Sequence, residues 1–212
     1  MKNVLFVLMM AALVAAAHAT PIDSFVNADF DSGAVTTGGP GFKGFDAPDA
    51  TEIIGWTNYP AGPLADAGVE AAEAWWLIGY TDENAAFINP GGAAYNMSGY
   101  TIQAGDEFTI SFISWHWWNQ GQMTASLFYD DPANVIGSFV VNTIGWTPTT
   151  WDNVATPIAA TAESVGGTLG ILCSSTGAGI ATLDEVVVNV VPEPATLVLL
   201  GLGGLLSLRK RK

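Results

Sequence analysis

The chain has little positive charge. Its 212 residues hold six Lys and Arg against twenty Asp and Glu, which gives a formal net charge of −14 at pH 7. Lys2 and four cations at the C-terminus account for all but one of the six, so Lys43 is the only cation in between. A surface this acidic repels phosphates, which excludes nucleic acid as a partner and favours solubility and attraction of cations.

Sulfur and catalytic signatures are also scarce. Cys173 is the only cysteine, so no intrachain disulfide is possible, and its apolar surroundings predict a buried, unreactive thiol. There is no Gly-x-Ser-x-Gly elbow, no His-Glu-x-x-His and no phosphate-binding loop. The chain is therefore predicted not to be an enzyme. A glycan hydrolase built on two of the many acids is the less favoured alternative.

The N-terminus has the pattern of a secretory signal peptide, residues 1–19. Lys2 supplies the positive start, Val4–Ala17 is apolar, and Ala17-His18-Ala19 is a small-x-small cleavage site. We therefore predict export through the Sec translocon and a mature chain that begins near Thr20. An uncleaved signal anchor is the alternative.

The C-terminus, residues 192–212, has three parts in a fixed order. A proline-framed break is followed by an uncharged apolar segment, 195–208, predicted to be a hydrophobic helix, and then by a basic stop. The break is Pro192-Glu193-Pro194, and the stop is Arg209-Lys210-Arg211-Lys212. This arrangement resembles the PEP-CTERM sorting signal of Gram-negative bacteria.

That resemblance implies a destination. It implies processing near Pro192-Glu193-Pro194 by an exosortase, after transient anchoring in the inner membrane through the hydrophobic helix. The product would lie in the cell envelope or in extracellular polysaccharide. A permanent anchor is the alternative, but the fourteen residues of 195–208 would span only about 21 Å as a helix, short of the roughly 30 Å hydrocarbon core.

The body, residues 20–191, is predicted to be one all-β sandwich, because Gly, Thr and Asn interrupt short alternating runs every eight to twelve residues. The stretch Leu64–Ile78 is ambiguous. Its Ala and Glu content allows a short helix at Val69–Ala74, and Trp75-Trp76-Leu77-Ile78 favours a strand after it. The predicted strands are Ile22–Phe30, Glu107–Phe112, Thr124–Tyr129, Val135–Val141, Thr150–Ile158, Thr168–Cys173 and Ala181–Val191.

Three short motifs connect the body to a known fold. Asn27–Asp31 opens it, Gly55-Trp56 follows, and Leu183–Val186 closes it. Together they resemble the galactose-binding-like jelly roll of carbohydrate-binding modules. The resemblance implies a structural Ca²⁺ held by Asp31 and Asp184, with Asp29 a weaker candidate. The alternative is that these are ordinary surface carboxylates.

Eight tryptophans are the remaining feature, and five of them fall in two clusters, Trp75-Trp76 and Trp115-His116-Trp117-Trp118. If the alternation of Glu107–Phe112 continues, Trp115 and Trp117 share the outer face of the strand, where they would form a flat platform for sugar rings. Asn119 would then bond sugar hydroxyls. In the alternative, both tryptophans pack in the core. We therefore expect a non-catalytic exported protein that binds extracellular polysaccharide, or a structural matrix protein with no specific ligand.

Overall fold

A computed structural model shows that the body is an all-β sandwich. It describes residues 19–31, 54–59, 67–71, 84–116, 120–145 and 147–191. In these ranges the chain forms twelve strands. None of the residues described there belongs to a helix long and apolar enough to cross a membrane. The predicted hydrophobic helix 195–208, the processing motif and the basic stop lie outside these ranges. Residues 1–18 of the predicted signal peptide also lie outside them.

The larger sheet has seven antiparallel strands. Its main path runs β10-β6-β12-β4-β3, with β1 paired to β12 and β9 paired to β6. These strands are β1 (Thr20–Pro21), β3 (Ala67–Ala71), β4 (Asn84–Ile88), β6 (Glu107–His116), β9 (Thr149–Asp152), β10 (Ile158–Ala159) and β12 (Ala181–Val191).

The smaller sheet has five antiparallel strands, ordered β2-β5-β11-β7-β8. These are β2 (Trp56–Asn58), β5 (Ala93–Thr101), β7 (Gln120–Tyr129), β8 (Val135–Ile144) and β11 (Thr168–Gly177). Between the two sheets lies one apolar core, and Cys173 is fully buried in it, as predicted. Burial raises the pKa of its thiol to about 12, so it stays protonated and unreactive.

The alternation of β6 is confirmed. Phe108, Ile110 and Phe112 lie in the core, and Ser114 and His116, which follow at the same spacing, are fully buried. Its partner β12 carries a bulge, because the pairing register shifts between Asp184 and Val187. Glu185 sits in that bulge with a φ of 47°.

Three predictions of secondary structure are wrong. The predicted strand Thr150–Ile158 is two short strands, β9 and β10, because a turn closed by the Thr156 amide and the Asn153 carbonyl interrupts it. Residues 22–30 form turns after the short β1, because Asn27 and Phe30 adopt φ values of 53° and 58°, which no strand accommodates. The helix expected from Val69 does not begin there, since Ala67–Ala71 pairs with β4 as a strand. Backbone pairing to a neighbour overrides the weak helix propensity of Ala and Glu. Residues 72–78 lie outside the described ranges.

Candidate functional site

The five strands of the smaller sheet contain no charged residue. This holds for every position of β2, β5, β7, β8 and β11, all of which the structure describes. The larger sheet, in contrast, contains carboxylates on β3, β6, β9 and β12. In a chain with twenty acids, one sheet has therefore been kept neutral.

Strand alternation defines the outer face of this sheet, called here the neutral face. Ile171 and Cys173 point into the core, so Leu172 between them points outward. The pairing registers then align one outward row across all five strands. That row is Thr57, Tyr95, Leu172, Ser126 and Ser138.

Three aromatic rings form a chain on the neutral face. The ring of Tyr95 meets that of Tyr59 edge-on, with centroids 6.3 Å apart, and that of Phe128 edge-on at 5.8 Å. Phe128 lies across Gly170, where a β-carbon would come within 2.2 Å of the ring. Both tyrosines remain partly exposed, while Phe128 is buried. Glycine at position 170 thus makes room for the innermost ring.

Hydroxyl and amide groups lie on the same face of this sheet as the rings. The Ser126 and Ser138 hydroxyls are 2.8 Å apart, and Gln122 Nε2 donates to Asn142 Oδ1 at 3.1 Å. Apolar rings beside uncharged donors and acceptors are what a sugar requires, because its C–H faces stack on aromatic rings and its hydroxyls need hydrogen-bond partners.

The expected exposure of Trp115 is wrong. Its side chain is only 1% exposed, although strand alternation places it on the face of β6 opposite Phe112. The pairing registers align it with Thr182 on β12 and Phe87 on β4, and both are equally buried. This end of the larger sheet is therefore covered on its outer face, and Trp115 cannot stack on a sugar. Trp117 and Asn119 lie outside the described residues.

The proposed calcium ligands lie in one region. Asp31 Oδ1 accepts a hydrogen bond from the Asn84 amide, at the start of β4, and β4 pairs with β12, which carries Asp184. Asp184 is fully buried, and its Oδ1 accepts from the Glu185 amide at 2.7 Å. The described residues contain no cluster of three or more acidic, His or Cys side chains that would hold a metal. Two carboxylates would thus depend on carbonyls and water for a six- to eight-oxygen shell.

The turn that carries Asp29 and Asp31 is firmly attached to the sandwich. The Val186 amide donates to the Ala28 carbonyl at 3.0 Å, and Trp56 Nε1 donates to the Asn27 carbonyl. A cleft of about 380 Å³ lies along the contact between this turn and the β12 bulge, with Asp29 and Glu185 in its lining. Its two carboxylates give this cleft a negative charge.

His116 is unsuited to catalysis. It is fully buried between the sheets, where Nδ1 hydrogen-bonds the Thr143 hydroxyl and Nε2 lies 3.3 Å from the Ser175 hydroxyl. Burial lowers the pKa of the imidazole, which favours the neutral form. Neither nitrogen reaches solvent, so this side chain holds the two sheets together.

Of the predicted processing residues, only Ala19 is described, and it is exposed immediately before β1. Ala17, Pro192-Glu193-Pro194 and Arg209-Lys210-Arg211-Lys212 lie outside the described ranges. β12 nevertheless ends at Val191, directly before the proline-framed break, and Thr20 pairs with Val190. The predicted start and end of the mature body therefore lie on neighbouring strands.

Residues 190–212 match the PEP-CTERM protein-sorting motif. This confirms the resemblance stated from the sequence, and the chain carries the signal of an exported protein that an exosortase processes. No curated protein matches the chain at a significant level.

Solved structures resemble the sandwich. A cyclase from Fischerella sp. TAU is 15% identical, with a TM-score of 0.56, and the match covers 84% of this chain and 98% of the cyclase. CBM4 is 16% identical over 79% of this chain and 99% of its own, with a TM-score of 0.48. TmCBM61, solved in complex with β-1,4-galactotriose, is 14% identical over 78% and 96%, also with a TM-score of 0.48. At these identities the likeness to the cyclase, with its TM-score above 0.5, shows the fold alone, an all-β sandwich as predicted, and not an activity.

Proposed function

We propose that the mature body, residues 20–191, binds neutral polysaccharide in the cell envelope or extracellular matrix and catalyses no reaction. The observation that carries the proposal is the neutral face, where an acidic chain keeps one whole sheet free of charge and places partly exposed tyrosines on it. Export and processing at the C-terminal motif would bring this face to the polysaccharide.

The chemistry of the neutral face indicates the substrate class. The net negative charge of the chain repels polyuronates and other acidic polymers. A neutral glycan meets no such repulsion, and the exposed hydroxyls of Ser138 and Thr57 can exchange hydrogen bonds with its hydroxyls. Contacts of Trp117 and Asn119 with the sugar remain a prediction from the sequence.

Electrophoresis through gels that contain a neutral polysaccharide tests the proposal. Tyr95→Ala removes the central ring of the aromatic chain. We expect the variant to bind about tenfold more weakly, because it loses roughly one aromatic contact and the area that this contact buries. Gln122→Ala should weaken binding less. A gel containing a polyuronate should not retard the protein.

The matched control is Asn189→Ala. Asn189 is also a strand amide residue, but it lies on β12 and donates to Thr109 Oγ1, away from the neutral face. Its removal should leave retardation unchanged, and the melting temperatures of all variants show whether each is folded. If no neutral glycan retards the wild-type protein, the alternative of a structural matrix protein without a specific ligand replaces this proposal.

We also propose a structural Ca²⁺ held by Asp31 and Asp184, with carbonyl oxygens of the adjacent turn completing its shell. The buried Asp184 carboxylate and the attachment of the turn to the β12 bulge support it. Calcium should raise the melting temperature of the wild-type protein and leave that of Asp31→Asn nearly unchanged. A wild-type melting temperature that does not respond to calcium or to a chelator would contradict the site.

A further inference from the structure

The sorting motif begins inside the sandwich. It is matched over residues 190–212, whereas β12 extends to Val191. Val190 pairs with Phe108 of β6 on one side and with Thr20 of β1 on the other. A chain paired in this way resists processing enzymes, because they act on the locally opened form. At least one of the two neighbouring strands must therefore leave β12 before the motif is free along its whole length.

Of the two neighbours, β1 is the weaker. β6 has ten residues and lies inside the sheet, whereas β1 has two, Thr20 and Pro21, and both are exposed. Proline has no amide hydrogen to donate. A cleft of about 510 Å³ is lined by residues 20–24 and by Tyr100 of β5, so little packing supports this part of the chain. Segments with so little packing open at a low cost in free energy.

The opening has a limit at Ile22. Its side chain is buried, and its amide donates to the Val188 carbonyl at 2.9 Å. Two residues further on, Ser24 Oγ accepts a hydrogen bond from the Gly99 amide at 2.9 Å. Residues 20–21 can therefore leave β12 while the chain from Ile22 onward stays attached to the sandwich.

We propose that β1 is a latch on C-terminal processing, and that the exosortase acts on chains in which β1 has left β12. Departure of β1 frees the edge of β12 at Asn189 and Val190, since β4, the other described strand on that side, pairs only with Ala181–Leu183. In the processing step a peptide bond near Pro192-Glu193-Pro194 breaks. The acyl group of the body passes to water or to an acceptor amine, and the tail leaves with a new amino terminus. Glycan binding plays no part in this latch, so a failure of either proposal leaves the other standing.

A disulfide between β1 and β12 would lock the latch. Pro21 lies opposite Asn189, and because the neighbouring pair Ile22–Val188 is hydrogen-bonded, this pair is of the closer, non-hydrogen-bonded kind. Its α-carbons lie about 4.5 Å apart, a distance that a disulfide spans. The double variant Pro21→Cys/Asn189→Cys would oxidise outside the cytoplasm, and the buried Cys173 would not compete.

Tail loss is measured on the full-length chain, pulse-labelled in cells that contain an exosortase. The oxidised double variant should lose its tail about tenfold more slowly than the wild-type chain, because processing follows the population of the open form, and dithiothreitol should restore the rate. Each single variant should be processed at the wild-type rate with or without dithiothreitol. Wild-type speed in the oxidised double variant, equal slowing in a single variant, failure of the disulfide to form, or a wild-type chain that keeps its tail would each overturn the latch.

Loosening the latch should have the opposite effect. Pro21→Gly gives the opened chain more conformational freedom, so the open form gains population and tail loss should become about two- to fivefold faster. Pro157→Gly is the matched control, because Pro157 is also exposed and precedes the other two-residue strand, β10, which pairs with β6. Intact mass distinguishes removal of the signal peptide from loss of the tail. An unchanged rate in Pro21→Gly, or equal acceleration in Pro157→Gly, would rule the latch out.

Discussion

At the scale of single residues, one imidazole connects the two sheets. His116 on β6 reaches Thr143 on β8 and Ser175 on β11, and both partners are hydroxyls that can donate or accept. Either neutral tautomer is therefore satisfied, whereas a charged imidazole would be buried without a counter-ion in this contact. Gly121 is required beside it, because a β-carbon there would lie 2.1 Å from His116 Nε2.

This arrangement predicts a pH dependence of stability. Because burial lowers the folded-state pKa of His116 below its ordinary 6.5, the unfolded chain takes up a proton first as the pH falls. The stabilisation is complete above about pH 7 and is lost as the pH drops below the unfolded pKa, at a slope of at most about one proton. Urea unfolding at a series of pH values between about 5 and 7 measures this slope.

His116→Gln is the control for that slope. His18 lies in the predicted signal peptide, so His116 is the only imidazole in the predicted mature body. The variant should be less stable at every pH because it loses the buried imidazole contacts, but its stability should be nearly constant over the same range. A slope of wild-type size in the variant would assign the pH dependence to the carboxylates instead.

At the scale of strands, the sequence predicted those strands in which apolar and polar residues alternate regularly. β12 has the bounds expected for it, and β6 begins at the expected residue and extends further. The segment 22–30 looked like a strand, but its conformation depends on long-range contacts, such as Trp56 Nε1 bonding to the Asn27 carbonyl. Periodicity in one segment contains no information about such contacts. β5 was missed for a related reason, since its small and polar residues give no clear alternation.

Glycine 170 illustrates how neighbouring strands depend on each other. Gly170→Ala on β11 should destabilise the protein by about 1–3 kcal/mol, because its β-carbon would collide with the buried Phe128 ring on β7. Gly99→Ala on β5 is the matched control, since its β-carbon would meet only Ser24 at an ordinary 3.6 Å. Thermal unfolding of both variants measures the difference. Equal stabilities would mean that the ring moves aside without cost.

At the scale of the whole molecule, charge is divided between the two sheets. The sequence shows the acidity and the sorting motif directly, so the exported class of protein was predictable. The neutral face was not predictable from the sequence, although each of its strands is a run without charged residues. Its five strands are scattered over the chain, and only the pairing order β2-β5-β11-β7-β8 assembles them into one surface. From the sequence, the sugar-binding platform was expected at Trp115 on the larger sheet, because a sequence does not show what covers the outer face of a strand.

Nuclear magnetic resonance of the labelled mature protein, titrated with a soluble neutral oligosaccharide, tests the central claim most directly. Binding at the neutral face predicts shift changes confined to the amides of β5, β7, β8 and β11, strongest around Tyr95 and Leu172, where the outward row crosses the aromatic chain. Changes centred on β6 near Trp115, or on the acidic turn at Asp29, would place the binding surface elsewhere and contradict the account.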